Sequence, residues 1–162
     1  MSRRVQIAVA GGRVCGRTTE RLAHDLGREI AAAGAVLVCG GLGGVMEAAA
    51  RGAAEAGGLV LGLLPGYARA AGNRWLTLAV PTGLAHARNV LVAAAGDALI
   101  ALPGEDGTLS EIALARVLHR PVVAVGGWRG IRGISHAPSP EAAVRRALVL
   151  AGRSSTAARN LR

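Results

Sequence analysis

The chain contains no lysine and no phenylalanine among its 162 residues. The absence of lysine excludes the P-loop of many nucleotide-binding proteins, because the sequence Gly-x-x-x-x-Gly-Lys-Ser/Thr requires one. With aromatic residues at only 2%, the core has to be built from Ala, Val, Leu and Ile. Glycine occurs 24 times without a short-period repeat. This is about twice its usual share and indicates turns and close backbone contacts.

Cysteine is also scarce. Cys15 and Cys39 lie far apart and show neither a metal-ligand spacing nor a Cys-x-x-Cys pair. We therefore predict reduced thiols in a cytoplasmic protein, with no metal site and no resident cofactor. No apolar run approaches the roughly 18 residues of a membrane span. The N-terminus lacks the apolar segment of a signal peptide, so none is expected.

The net charge is +9, and the arginines that carry it are scattered from residue 3 to residue 162. Nucleic-acid-binding proteins more often show a clustered basic face with interleaved aromatic residues, so nucleic-acid association is the weakest functional alternative. Anionic small ligands fit the charge equally well. Trp75 and Trp128 are interpreted as core or interface anchors, with stacking of Trp128 on a base as the alternative.

Short apolar segments alternate with helical segments, a pattern typical of a parallel sheet covered on both faces. We predict an α/β fold, a Rossmann-like doubly wound parallel sheet of six or seven strands with helices on both faces. It should form a single domain over residues 1–152, followed by a frayed tail over residues 153–162. The predicted strands span residues 5–10, 35–39, 59–63, 76–80, 98–102 and 122–125.

Local signals predict several boundaries of the helices. Thr18 or Thr19 is expected to cap the first helix through its hydroxyl group. Residues 126–137 are expected to be irregular, and the last helix is expected to end near Leu150. The Gly-rich turns after the first, second and fifth strands should meet at one edge of the sheet, where ligands bind in such folds.

Residues 102–111, Leu-Pro-Gly-Glu-Asp-Gly-Thr-Leu-Ser-Glu, form the end of a strand, a glycine turn and the start of a helix. The backbone N–H groups and the helix dipole at such a turn favour an anion such as phosphate. In this interpretation Thr108 and the turn amides hold the phosphate, and Glu111 faces the groove. The alternative is a capping box, in which Thr108 and Glu111 bond each other's backbone N–H groups.

Arg88 lies in the first turn of the helix predicted at residues 85–95, where a cation opposes the helix dipole. A residue that violates a local rule is a candidate for a site, here as an anion clamp, with a solvated surface arginine as the alternative. The glycine run at residues 40–44 suits both close packing and a ligand cradle. It lacks the third glycine of the dinucleotide fingerprint, so NAD or FAD binding is not expected.

Four segments, taken in order, resemble the Lonely Guy (LOG) family, long labelled lysine decarboxylases. Residues 39–49, Cys-Gly-Gly-Leu-Gly-Gly-Val-Met-Glu-Ala-Ala, resemble its Gly-Gly-x-x-Gly-x-Met-x-x-Ala segment, and residues 58–65 resemble its next strand. Ala87-Arg88-Asn89 stands where the family has Glu-Arg-Lys. Residues 102–111 resemble its Pro-Gly-Gly-x-Gly-Thr-x-x-Glu signature.

The resemblance implies a Rossmann-like homo-oligomer, a dimer or a tetramer. Catalytic members hydrolyse the N-glycosidic bond of cytokinin riboside 5'-monophosphate or AMP-like nucleotides and release the base and ribose 5-phosphate. Carried over to this chain, the catalytic residues are Arg88 and Glu111, and a carboxylate suits such chemistry. The residues predicted to bind the phosphate or the rest of the ligand are Gly40, Gly41, Gly43, Gly44, Gly104, Gly107, Thr108 and Asn89.

Two departures from the family pattern keep a second interpretation open. Asn89 replaces the family lysine, a change shared with a branch that resembles molybdenum cofactor carrier proteins and, distantly, the DNA-processing DprA fold. Glu105 and Asp106 occupy positions beside the phosphate, which they should repel unless they point to solvent or bind a cation. The sequence therefore predicts binding of a phosphorylated nucleotide-like ligand, with phosphoribohydrolase activity or, alternatively, a non-catalytic carrier or sensor of a cofactor such as molybdopterin.

Overall fold

The computed structural model describes residues 3–159, with side chains described for residues 3–153. This part of the chain forms seven strands and five α-helices. The strands are β1 (Gln6–Ala10), β2 (Val36–Cys39), β3 (Leu59–Leu64), β4 (Leu78–Pro81), β5 (Ala98–Ala101), β6 (Val122–Ala124) and β7 (Ser135–His136). The helices are α1 (Arg17–Ala32), α2 (Val45–Glu55), α3 (Asn89–Ala95), α4 (Asp106–Val117) and α5 (Pro140–Arg159).

All seven strands lie parallel in one sheet, in the order β4-β3-β2-β1-β5-β6-β7. This confirms the predicted Rossmann-like doubly wound sheet. Strand β1 pairs with both β2 and β5, so the strand order reverses between β1 and β5. The loops that follow β1 and β5 therefore lead to opposite faces and leave a crevice between them at the carboxyl edge.

The helices cover both faces of the sheet. Helices α1, α2 and α5 pack together on one face, and α3 and α4 pack on the other. Strand β1 contributes to both layers, because Ile7 and Val9 point to the first face while Ala8 and Ala10 point to the second. All four side chains are buried, which explains why the strand appears in sequence as a continuous apolar run.

Two glycines allow α1 and α2 to approach each other closely. A Cβ atom on Gly27 would lie 2.0 Å from the Ala49 carbonyl oxygen, and one on Gly52 would lie 1.9 Å from the His24 carbonyl oxygen. Both contacts are to backbone, which cannot move aside without shifting a helix. The expected use of glycine for close backbone contacts is confirmed at this helix pair.

The predictions for the start of α1 and for residues 126–137 are both wrong. Gly16, rather than Thr18 or Thr19, occupies the cap of α1, and no side-chain hydrogen bond caps the helix. The first turn is largely exposed, so water can satisfy its N–H groups. Within residues 126–137, predicted to be irregular, Ser135–His136 forms the edge strand β7 beside β6. So short an edge strand rests on backbone pairing and leaves no periodic signal in sequence.

Helix α5 continues to Arg159, beyond the end predicted near Leu150. The added residues include three alanines and two arginines, which have high helix propensity. The boundary drawn at residues 152–153 therefore falls inside a helix. Residues 160–162 lie outside the described part, and the fraying of the tail stays a prediction. None of the helices in the described residues is long and apolar enough to cross a membrane.

Candidate functional site

A cleft of about 350 Å³ opens at the carboxyl ends of β1 and β5, where the strand order reverses. Its volume lies in the range of small-molecule sites. The residues that line it come from the loops after β1, β2, β3 and β5, from the turn after β4, and from the starts of α2, α3 and α4. They are Gly11, Gly12, Arg13, Leu42, Met46, Pro65, Ala85, His86, Arg88, Asn89, Glu105, Gly107, Thr108 and Glu111.

The loops beneath the cleft are hydrogen-bonded to one another. The Gly12 N–H donates to the Pro103 carbonyl (3.0 Å), and the Val45 N–H donates to the Gly12 carbonyl (3.0 Å). A Cβ atom on Gly104 would lie 2.1 Å from Thr108 Oγ1 and 2.8 Å from the Gly12 nitrogen. Only glycine therefore allows the turn after β5 to pack directly on the turn after β1.

The start of α4 differs from the capping-box prediction. The cap is Glu105, without a side-chain hydrogen bond, and Thr108 is the third residue of the helix. The capping box of Thr108 and Glu111 is therefore wrong, because the helix begins before Thr108. The first N–H groups of a helix have no partner within the helix. Gly107 and Thr108 both line the cleft, and the binding of an anion by their N–H groups stays a prediction.

Glu111 lies in the second turn of α4 and faces the cleft. The side chain is buried, with 8% of the residue exposed. Burial raises the pKa of its carboxyl group to about 7, although the nearby positive charge of Arg88 opposes the shift. Within the described residues it has no ion-pair partner closer than 4.0 Å. A carboxyl group with such a pKa can donate or accept a proton near neutral pH.

Arg88 ends a single 3₁₀ turn, Ala85–Arg88, directly before α3. Its Nη1 atom donates to the carbonyl oxygens of Gly40 (2.6 Å) and Leu63 (2.7 Å). The guanidinium thereby joins the carboxyl ends of β2 and β3. Its Nε atom is buried without a hydrogen-bond partner. Burial lowers the pKa of Arg88, and the negative charge of Glu111 counteracts that change.

The glycine run at residues 40–44 is largely used for packing. A Cβ atom on Gly40 would lie 2.2 Å from Arg88 Nη1, and one on Gly44 would lie 2.4 Å from the Gly12 carbonyl oxygen. Gly41 has a φ of +74° and faces Leu64. Among residues 3–153, the cleft lining includes Leu42 from this run but none of its glycines. Ligand contacts by Gly40, Gly41, Gly43, Gly44 and Gly104 stay predictions.

Several lining residues were not assigned to the site from sequence. Met46 and Pro65 are apolar, and apolar residues in a glycine-rich chain give no signal that separates a cleft wall from the core. Ala85 has a φ of +49°, which is an unusual backbone conformation for alanine, and no pattern in the sequence predicts it. Arg13 and His86 are exposed and lie at the rim.

Trp128 is hydrogen-bonded to the backbone directly after β5. Its indole Nε1 donates to the Leu102 carbonyl oxygen (2.8 Å), and the ring packs against the core beneath α3 and α4. Trp75 packs against the core on the other face. The interpretation of the two tryptophans as anchors is therefore confirmed.

Residues 4–151 match the SLOG cluster4 family, and the chain belongs to this family. An uncharacterized protein of Archaeoglobus fulgidus is 41% identical over 140 residues, which cover 86% of this chain and 92% of that protein. The cytokinin riboside 5'-monophosphate phosphoribohydrolase of Rhodococcoides fascians is 39% identical over 111 residues, 65% of this chain. The match spans only 56% of that enzyme's own length.

Solved structures show the same relationship. The molybdenum cofactor binding protein of Rippkaea orientalis superposes with a TM-score of 0.86 at 33% identity, over 92% of this chain and 98% of that one. The molybdenum cofactor carrier protein of Chlamydomonas reinhardtii gives 0.83 at 30% identity, over 91% and 98%. DprA of Streptococcus pneumoniae gives 0.72 at 19% identity, over 88% of this chain and 61% of that one, and shares the fold alone. The predicted resemblance to LOG-like proteins, with carrier-like and DprA-like neighbours, is confirmed.

Proposed function

We propose that the cleft binds a phosphorylated, nucleotide-like ligand whose phosphate lies at the first turn of α4. The observation that carries this proposal is the meeting of three features in one cleft: the helix start at Gly107 and Thr108, the buried Arg88 and the buried Glu111. The relatives support it, since one is a cytokinin riboside 5'-monophosphate phosphoribohydrolase and two bind or carry the molybdenum cofactor.

The two carboxylates beside the turn are compatible with an anion. Asp106 is exposed and lies outside the cleft lining. Glu105 lies at the rim and is also exposed, where water and salt screen its charge. The repulsion anticipated from the sequence is therefore reduced to one solvated side chain at the edge.

Replacing Gly107 with Ala tests the phosphate position. The added Cβ would meet no atom within 4 Å. The free energy of unfolding should therefore stay the same or rise by up to about 1 kcal/mol, as for other glycine-to-alanine changes in helices. The methyl group would nevertheless occupy space beside the amide donors, so the affinity for inorganic phosphate and AMP should fall at least about tenfold, which corresponds to about 1.4 kcal/mol.

Calorimetric titration and urea unfolding of the same samples measure the two effects separately. Gly130→Ala is the matched control, because its Cβ would also meet no atom within 4 Å and Gly130 does not line the cleft. An unchanged affinity in Gly107→Ala would place the anion elsewhere.

Glu111 supports hydrolysis of the N-glycosidic bond as the catalytic form of this function. Its carboxylate would accept a proton from the water that attacks C1' of the ribose. The bond between C1' and the base nitrogen breaks, the base leaves with the electron pair and takes up a proton, and ribose 5-phosphate remains. Incubation of concentrated protein with AMP and other nucleoside monophosphates should release free base. No release from any of them would remove the catalytic proposal.

A non-catalytic carrier of a phosphorylated cofactor is the second candidate. It is supported by the similarity to the carrier proteins over 98% of their length, against 56% for the phosphoribohydrolase. The replacement of the LOG-family lysine by Asn89 also favours a non-catalytic carrier. Native mass spectrometry of freshly purified protein should then show a bound species with the mass of a pterin-type cofactor. Apoprotein alone, combined with base release from AMP, would favour the enzyme.

We also propose self-association through the outer face of α4. Leu109, Ala113 and Val117 are exposed and follow one another at four-residue spacing, and Val117 is 73% exposed. The adjacent α3 contains no charged residue, so a second copy of this positively charged chain could approach there. Sedimentation velocity should give a multiple of 16.3 kDa, and Val117→Glu should shift it to the monomer mass. An oligomer that tolerates this change would contradict the proposed face.

A further inference from the structure

Asn89 and Ser110 together hold the first turn of α4. Asn89 Nδ2 lies 2.9 Å from Ser110 Oγ and 3.5 Å from the Gly107 carbonyl oxygen. Ser110 Oγ donates to the same carbonyl at 2.7 Å. Asn89 is only 7% exposed, so it is as deeply buried as the two residues predicted to be catalytic.

These bonds fix the orientation of the Asn89 amide. The hydroxyl of Ser110 has one proton, and the Gly107 carbonyl takes it because a carbonyl can only accept. Ser110 Oγ can then only accept a hydrogen bond from Asn89. The Asn89 side chain therefore directs its NH2 group toward the first turn of α4. The nearby Gly107 carbonyl requires the same orientation. The amide oxygen must therefore point away from α4.

The Asn89 oxygen is available to a ligand. No group in the described part of the chain donates a hydrogen bond to it. In these residues, the side-chain nitrogen and oxygen atoms that are buried without a hydrogen-bond partner are Arg88 Nε and Arg120 Nε. The Asn89 oxygen has no partner and is not one of them, so it retains some accessible surface. Since Asn89 lines the cleft and is otherwise enclosed, that surface faces the cleft.

We infer that Asn89 is a specificity-determining residue, whose oxygen accepts a hydrogen bond from a sugar hydroxyl of the ligand beside the phosphate. This inference rests on the proposed function. An amide oxygen and a phosphate oxygen both accept and cannot bond each other, so the predicted contact of Asn89 with phosphate gives way to a contact with a donor. A lysine at this position would do the reverse, because it can only donate.

Wild-type protein should discriminate between AMP and its deoxy analogues. A buried polar group that loses its partner rejects a ligand strongly. AMP should therefore bind at least about tenfold more tightly than the one analogue, 2'-deoxy-AMP or 3'-deoxy-AMP, that lacks the contacted hydroxyl. In Asn89→Leu this ratio should fall to within about twofold of one. The affinity of the variant for inorganic phosphate should change less than about threefold, because the α4 amides remain.

Val90→Ala is the matched control, because Val90 follows Asn89 directly in α3 but is exposed and does not line the cleft. It should retain the discrimination against the deoxy analogue. Should Asn89→Leu fail to fold, Asn89→Ala gives the same comparison. Equal binding of all three nucleotides by wild-type protein overturns the inference, as does an equal loss of discrimination in Val90→Ala. A failure of phosphate and every nucleotide to bind would instead overturn the proposed function itself.

Discussion

Replacing Glu111 with Gln is expected to stop the proposed release of base from AMP and, at the same time, to stabilise the protein above neutral pH. The loss of activity should be at least about 100-fold, because an amide cannot accept the proton of the attacking water. The gain in stability follows from burial of the carboxyl group, whose pKa is raised from 4.5 to about 7 in the folded protein.

The effect of the Glu111 carboxyl group on the free energy of unfolding depends on pH. Below pH 4.5 the carboxyl is protonated in both the folded and the unfolded chain and contributes no difference. Between pH 4.5 and about 7 the unfolded chain loses its proton first, so the free energy of unfolding falls as the pH rises. The full cost, reached above pH 7, is about 3 kcal/mol. The amide introduced by Glu111→Gln is neutral throughout this range and would escape the cost.

Urea unfolding at pH 4 and pH 8 measures the effect. The stability of Glu111→Gln relative to wild-type protein should be greater at pH 8 than at pH 4 by about 3 kcal/mol. Glu105→Gln is the control, since Glu105 lines the same cleft but is exposed, and it should change stability by less than about 0.5 kcal/mol. A difference between Glu111→Gln and wild-type protein that is the same at both pH values would contradict the account.

Replacing Arg88 with Met is expected to have the opposite effect on stability. The carbonyl oxygens of Gly40 and Leu63 would lose a charged donor that is 2.6 and 2.7 Å away. The loss should lower the free energy of unfolding by about 3 kcal/mol, since hydrogen bonds to charged groups contribute about 1.5–3 kcal/mol each. Ligand binding should be lost as well, because the carboxyl ends of β2 and β3 would no longer be joined beside the cleft.

Two further variants distinguish the structural role of the Arg88 contacts from the effect of positive charge at the cleft. Gly40→Ala should mimic Arg88→Met, because the new Cβ would lie 2.2 Å from Nη1 and displace the guanidinium. Arg13→Met removes an exposed positive charge from the rim and should weaken AMP binding without lowering stability. Thermal and urea unfolding, together with calorimetric titration of AMP, test all three. Wild-type stability in Arg88→Met would show that the two carbonyl contacts are unimportant.

The sheet was predictable because the strands are short, apolar and separated by glycine turns, which together indicate buried parallel strands. The same regularity placed Arg88, Asn89, Thr108 and Glu111 at one edge, and the structure brings all four to one cleft. The start of α4 was not predictable, because Thr-x-x-Glu is a good capping signal and Glu105 is an uncommon cap.

The hydrogen-bond partners of Arg88 and Asn89 could not be predicted from the sequence either. Arg88 is predicted as an anion clamp, and the sequence does not reveal that its Nη1 atom also bonds two backbone carbonyls that are distant in the chain. The contact of Arg88 with an anion stays a prediction. Asn89 is predicted to bind the phosphate or the rest of the ligand, and the sequence does not reveal that its NH2 group is bonded to Ser110 on α4. Such roles depend on tertiary neighbours distant in sequence, which a motif does not contain.

A crystal structure of the protein soaked with AMP would decide whether the cleft holds a nucleotide with its phosphate at α4. We expect the phosphate, or the ribose 5-phosphate left after hydrolysis, to lie within hydrogen-bond distance of the Gly107 and Thr108 N–H groups. The sugar should lie between Asn89 and Glu111. Nucleotide density outside the cleft, or a phosphate at the rim beside Arg13 with no contact to α4, would contradict the proposed site.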